Sequence, residues 1–243
     1  MHPAALGTAV LFLFFFALTA HAQRALDANQ WYVAIKASIG DATIDHITHH
    51  GTIGTGARID NFIDGQIAHE KIGDYTAGTG IAIGKRMGYW NFSAEYIWRY
   101  RTDWDIVAPT PSISTVTNIF SNVETTTLLI NVAQRRPFTS KWSWELGAGL
   151  GLVMNDLETE FIEREAPGIS PELIFNDKSR KTDFSYNIYA GITRELIGPW
   201  SLSLRYRYIH LGELRAGPFP GRAVRLASDH TSQELQFSLE WEF

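Results

Sequence analysis

The chain has 243 residues, of which 45% are hydrophobic and 13% aromatic, and its formal net charge is −5 at pH 7. This negative balance argues against a protein that binds nucleic acid through the phosphate backbone. Cysteine is absent, which excludes disulfides, thiol catalysis and cysteine-based metal sites.

Residues 1–22 have the features of an export signal. Val10–Leu18 is apolar but too short to span a bilayer, and Ala20–Ala22 is a small-x-small cleavage site before Gln23. The segment is unusual in having no Lys or Arg before its apolar core. We predict a cleaved signal peptide followed by one exported domain at 23–243; an uncleaved anchor is the alternative.

The mature chain alternates apolar and polar residues with the period of two that gives a strand one apolar face. No run after residue 22 reaches the roughly 20 apolar residues of a transmembrane helix, so this chain can cross a membrane only through strands. The predicted strands are 31–39, 76–87, 90–101, 123–134, 142–152, 184–192, 201–208 and 235–243. The facing of the fourth strand stays open, because Leu128, Leu129 and Ile130 interrupt its alternation.

The connections between these strands alternate in length. Long polar stretches at 40–74, 105–118, 156–181 and 213–230 are separated by short turns, as in outer-membrane barrels with long extracellular loops and short periplasmic turns. One tryptophan begins the first strand, and another lies near each of the short turns. These rings predict an aromatic girdle at the periplasmic interface, formed by Trp31, Trp90, Trp142 and Trp200.

The final segment, Leu235–Phe243, is a strict alternation that ends on an aromatic residue. An exposed apolar strand edge would invite aggregation, and closure of the sheet into a barrel removes that edge. We expect this strand to pair with Trp31–Ile39. It resembles the terminal strand of bacterial outer-membrane barrels, and that resemblance implies an insertion signal carried by Phe237, Leu239, Trp241 and Phe243.

Charged residues fall on the face opposite to the apolar one, which in a membrane barrel is the lumen. With about eight strands the lumen is narrow enough for side chains to fill it, and buried charges need partners. We therefore predict an ion-pair network that plugs the barrel; a narrow pore for ions or small solutes is the alternative. The predicted network comprises Lys36, Glu95, Arg99, Arg101, Glu145, Arg205, Arg207 and Glu240, with Asp183 and Gln236 also facing inward.

Three segments resemble the opacity-type, OmpA-like outer-membrane β-barrel family: Trp31–Val33, Leu204–Gly212 and Phe237–Phe243. The resemblance covers the mature chain and implies a surface-exposed membrane protein with a role in adhesion or envelope integrity. The chain ends at the barrel, so a peptidoglycan-binding domain is not implied.

Two other candidate sites are weaker. The Asp45–His50 segment could offer metal ligands, but its loose spacing in a Gly-rich stretch favours a solvated loop. His210, Asp229, His230, Ser232 and Glu234 could suggest a lipid-modifying hydrolase, but their proximity in the sequence does not show a nucleophile hydrogen-bonded to a base that a third group orients. We expect no catalytic residue, metal or cofactor.

The sequence therefore predicts an all-β fold, an eight-stranded antiparallel transmembrane β-barrel in an up-and-down meander with four long extracellular loops. A soluble β-sandwich or lipocalin-like barrel is the rival fold, with its apolar faces inside. We expect a monomer in the outer membrane of a Gram-negative bacterium, in contact with lipid and lipopolysaccharide and inserted by the barrel-assembly machinery. A structural or surface-interaction role ranks first, a narrow porin second and a lipid-modifying enzyme third.

Overall fold

The computed structural model describes residues 29–50, 52–53, 57–58, 71–109, 116–164, 173–218 and 225–243. The predicted export signal lies outside these ranges. Within them, no helix is long and apolar enough to cross a membrane. The strands are β1 (Asn29–His50), β2 (Thr52–Ile53), β3 (Ala57–Arg58), β4 (Lys71–Met87), β5 (Trp90–Pro109), β6 (Val116–Pro137), β7 (Trp142–Arg164), β8 (Leu173–Glu195), β9 (Trp200–Ala216) and β10 (Arg225–Glu242).

Eight of these strands form one closed antiparallel barrel in the order β1-β10-β9-β8-β7-β6-β5-β4. The last strand closes on the first, with Val33 opposite Trp241 and Ile35 opposite Leu239. β2 and β3 form a separate two-stranded pair. The predicted eight-stranded meander, closed by its terminal strand, is confirmed.

The two faces of the wall differ sharply in polarity. Ile35 is 69% exposed on the outer face, whereas its neighbour Lys36 is 2% exposed and points inward. The same alternation settles the facing of β6, where Leu128 and Ile130 point outward and Leu129 is fully buried. An apolar exterior around a polar interior suits lipid and not water, so the soluble rival fold is excluded.

The strands are longer than we predicted. β7 ends at Arg164 and β8 begins at Leu173. The two strands therefore include much of the segment 156–181 that is predicted as a loop. Backbone pairing continues there although outward positions become charged, as at Glu158 opposite Lys178. The apolar alternation therefore ends where the lipid is expected to end, while the strand goes on. The remaining parts of the four predicted loops lie mainly outside the described residues.

Short turns set one end of the barrel, which we call the short-turn end. Gly88 and Gly198 have φ of 60° and 68°, a left-handed conformation that glycine adopts without a steric penalty. Each precedes a strand that begins with tryptophan, Trp90 in β5 and Trp200 in β9. These turns therefore place both rings at the same end of the barrel.

Candidate functional site

The centre of the barrel holds five charged side chains, which we call the central cluster: Lys36, Glu95, Arg99, Arg207 and Glu234. They come from β1, β5, β9 and β10, and each is at most 2% exposed. Arg99 Nε donates to Glu234 Oε1 at 2.6 Å, and Arg207 Nη2 donates to Glu234 Oε2 at 2.6 Å. Lys36 and Arg207 both donate to Glu95. The two carboxylates are thus shared among three cations.

These contacts span the interior and do not run along one side of it. β5 and β9 stand opposite each other in the strand order, and the pair Arg207–Glu95 joins them. Arg99 and Glu234 belong to β5 and β10, with β4 and β1 between them. The central cluster therefore crosses the lumen at its middle.

A second group, the turn-end cluster, lies nearer the short turns and consists of Arg86, Glu145, Arg205, Glu240 and Glu242. Arg205 Nη2 donates to Glu240 at 3.1 Å, and its Nε lies 3.2 Å from Glu145 Oε1. Arg86 contacts both Glu240 and Glu242. Two cations here face three carboxylates.

Aromatic rings and a further arginine support the turn-end cluster. The guanidinium carbon of Arg86 lies 4.9 Å from the centre of the Tyr32 ring, and that of Arg205 lies 5.3 Å from the Tyr189 ring. The buried Arg135 donates to Ser143 Oγ at 2.6 Å. Cation–ring contacts of this kind stabilise a desolvated guanidinium.

On the other side of the central cluster apolar side chains are interspersed with buried polar ones such as Thr125 and Asn155. Leu129, Val153, Ile209 and Leu211 form a buried hydrophobic cluster. Trp104 packs edge-on against His230, with 5.1 Å between the ring centres. Side chains therefore occupy the described interior at three successive levels.

The structure brings together most of the predicted network. Buried ion pairs are formed by Lys36, Glu95, Arg99, Glu145, Arg205, Arg207 and Glu240. The prediction for Arg101 is wrong: its side chain is 54% exposed and pairs with Glu158 at 2.7 Å. The register of β5 against β6 shifts between Arg99 and Thr102, and this irregularity turns Arg101 outward and Thr102 inward.

Three buried charged residues were missing from the predicted network: Arg86, Arg135 and Glu234. Arg86 follows Ala82 and Gly84 on the inward face of β4, so the alternation itself could have identified it. Glu234 is one of the hydrolase candidates of the sequence, but its carboxylate accepts from Arg99 and Arg207.

Two of the other hydrolase candidates, Ser232 and His230, contact different parts of the barrel wall. Ser232 Oγ donates to the carbonyl oxygen of Asp41 at 3.0 Å, and His230 packs against Trp104. The side chains of His46, His49 and His50 lie outside the described residues, so the metal alternative at that segment has no described geometry.

A charged rim lies beyond the expected membrane span, at the end opposite the short turns. Glu213 accepts from Arg215 Nε and from Lys181 Nζ, each at 2.9 Å. The hydrogen bond from Arg215 is the main cause that lowers the pKa of Glu213 to about 2, and Lys181 adds to it. Asp183, predicted to face the lumen, joins this rim by accepting from Lys181 at 2.8 Å.

The four girdle tryptophans lie at the short-turn end on the outer face. Trp31, Trp90 and Trp200 are close to half exposed, and Trp142 is partly exposed. Cations lie over two of the rings: Lys85 Nζ is 5.2 Å from the centre of the Trp31 ring, and Arg194 is 5.4 Å from that of Trp142. The residues of the predicted insertion signal also point outward: Phe237, Leu239, Trp241 and Phe243.

The family model described as "Outer membrane protein beta-barrel domain" matches residues 10–243. Among solved structures, Neisserial surface protein A aligns over 88% of this chain and 97% of its own, with 14% identity and a TM-score of 0.40. OprG from Pseudomonas aeruginosa aligns over 88% of this chain and 97% of its own, with 13% identity and a TM-score of 0.49. No curated protein matches the chain. The family match includes every described residue.

Proposed function

Because the chain belongs to the outer membrane protein beta-barrel domain family, we propose that it is a closed, non-enzymatic barrel with a structural or surface-interaction role. The observation that carries this proposal is the pair Arg207–Glu95, which joins opposite walls in the middle of the lumen. A selectivity ring leaves its axis open for the solute. In this protein the charged groups bond to each other across that axis.

Single-channel recording in planar bilayers tests whether the barrel is closed. The wild-type protein is expected to give no discrete conductance steps. Arg207→Ala should give small steps, because it removes the contact between the opposite strands β5 and β9 yet leaves Lys36 with Glu95 and Arg99 with Glu234. Arg101→Ala is the matched control, since it removes an arginine from an exposed pair, and it should stay silent. Discrete steps in the wild-type protein would favour the narrow porin.

The surface role is proposed from the outer wall beyond the expected lipid. Arg101 and Lys178 both bond to Glu158, and Arg180 bonds to Asp156. These side chains are all more than 40% exposed, so their cations are accessible to the phosphates of lipopolysaccharide. The double variant Lys178→Gln/Arg180→Gln should lose stabilisation by lipopolysaccharide, measured as a smaller rise in unfolding temperature on adding it. An unchanged rise contradicts this assignment.

Recognition by the barrel-assembly machinery is proposed from the outward residues of β10. Phe243→Ala is expected to slow insertion into vesicles that contain the purified machinery, while spontaneous folding in detergent stays at the wild-type rate. Equal slowing of both processes would assign Phe243 a purely structural role.

The absence of enzymatic activity is tested by incubation with lipopolysaccharide, where we expect no release of fatty acid.

A further inference from the structure

A groove of about 540 Å³ crosses the outer face of the barrel, from Trp200 of β9 over β10, β1, β4 and β5 to Leu128 of β6. It follows two adjoining rows of paired residues, Val33–Ile83–Ala94 and Ile35–Ile81–Tyr96. Ala94 has a small side chain between the larger outward rings of Phe92 and Tyr96 on the same strand. This gap deepens the groove at β5.

A cation lies in the next row toward the short-turn end. Lys85 is paired in register with Trp31 on one side and with Phe92 on the other. Its ammonium group lies over the Trp31 ring, and among the described residues no carboxylate forms an ion pair with it. Trp and Lys together are typical of the membrane–water interface. A positive group therefore stands at headgroup level beside an apolar groove that continues into the membrane.

We propose that this face binds one anionic phospholipid from the leaflet at the short-turn end. Lys85 holds the headgroup phosphate, Trp31 flanks it, and an acyl chain lies in the groove over Ala94. The site has two matched parts, a cation that forms no ion pair within the described part of the chain and an apolar channel wide enough for an acyl chain. Arg194 over Trp142 is a similar cation–ring pair on β8 and β7, but no residue of those two strands lines the groove.

Native mass spectrometry of the folded full chain in detergent tests the proposal. The protein is titrated with phosphatidylglycerol and, separately, with phosphatidylcholine of identical acyl chains. We expect one phosphatidylglycerol to bind about fivefold more tightly than phosphatidylcholine, the contribution typical of one lysine near an anionic lipid surface. Lys85→Gln should abolish this preference, and Arg194→Gln should retain it.

Ala94→Leu separates the acyl-chain contact from the charge contact. The leucine side chain in this variant would point outward and fill the groove. Binding of both lipids should therefore weaken, while the preference for phosphatidylglycerol remains. Equal binding of the two lipids by the wild-type protein overturns the proposal without any variant. An equal loss of preference in Lys85→Gln and Arg194→Gln also overturns it, because the preference would then come from the cations at the short-turn end in general and not from this groove.

Discussion

Arg207 donates a hydrogen bond to the carboxylate of Glu95 although the two residues belong to opposite walls of the barrel. The contact is possible because an eight-stranded barrel is narrow enough for two long side chains to meet across it. Glu95 also accepts from Lys36, and Arg207 also donates to Glu234. Hydrogen-bonded ion pairs therefore connect strands on opposite sides of the lumen as well as strands that are near each other in the wall.

The first prediction concerns the charge balance of the central cluster. Glu95→Ala leaves three buried cations facing one carboxylate, and breaking a buried pair in this way costs about 3–5 kcal/mol. Arg207→Ala should cost less, because each remaining carboxylate keeps a cation. Chemical unfolding of the protein in lipid vesicles measures both. As the control, Glu158→Ala breaks exposed pairs and should cost at most about 1 kcal/mol; a larger loss in Arg207→Ala than in Glu95→Ala contradicts the assigned balance.

The second prediction concerns a glycine on the inner face of β7. A methyl group at Gly149 would overlap the amide of Asn131, whose Oδ1 accepts from Asn187 Nδ2 at 3.0 Å. Gly149→Ala should therefore lower the free energy of unfolding by about 1–3 kcal/mol, as overpacking does. At Gly73 the nearest atom to such a methyl is 3.5 Å away. Gly73→Ala is the control and should leave stability within about 0.5 kcal/mol.

The third prediction concerns membrane depth. In variants that keep a single tryptophan, lipids brominated near the headgroup should quench Trp31, Trp90, Trp142 and Trp200 more than lipids brominated deep in the chain, because these rings lie at the short-turn end. Trp104 is 2% exposed and points inward, so neither lipid should quench it strongly. Different depths among the four girdle residues would rule out a common interface.

The fourth prediction concerns pH and the rim. The folded pKa of Glu213 is about 2, below the value of about 4.3 for an unfolded chain. Its stabilising contribution is thus present above about pH 4.3 and is lost as the pH falls toward 2. The difference in unfolding free energy between the wild-type protein and Glu213→Gln should shrink over that window. Arg215→Gln should raise the lower limit of this window and reduce the size of the change, since it removes the main cause of the low pKa; a difference independent of pH contradicts the rim contacts.

The part of each strand that lies in lipid could be predicted from the sequence. Only there must every second residue, which faces the lipid, be apolar. Beyond the lipid this requirement no longer holds, so the charged continuations of β7 through Glu158 and of β8 from Leu173 have the sequence pattern of a loop. Backbone hydrogen bonds maintain these extensions, and they leave no hydropathy signal.

The residues of the candidate site could be predicted only where every second residue of a strand continues to point into the lumen. Lys36, Glu95 and Arg99 follow it and lie in the central cluster. Arg101 follows the same pattern in the sequence, but the shift in register after Arg99 turns it outward. An irregularity of this kind is set by pairing with the neighbouring strand, which the sequence of β5 alone does not contain.

The central claim, a lumen closed by its own ion pairs, is tested most directly by the reactivity of a single cysteine, since the natural chain has none. Ser238 is 1% exposed, points inward and lies in register with Lys36. In the folded protein, Ser238→Cys should resist a small charged thiol reagent from both sides of the membrane and react only after unfolding. Ser140→Cys, at an exposed short turn, should react at once. Rapid labelling of Ser238→Cys in the folded barrel would show a water-filled lumen and contradict the account.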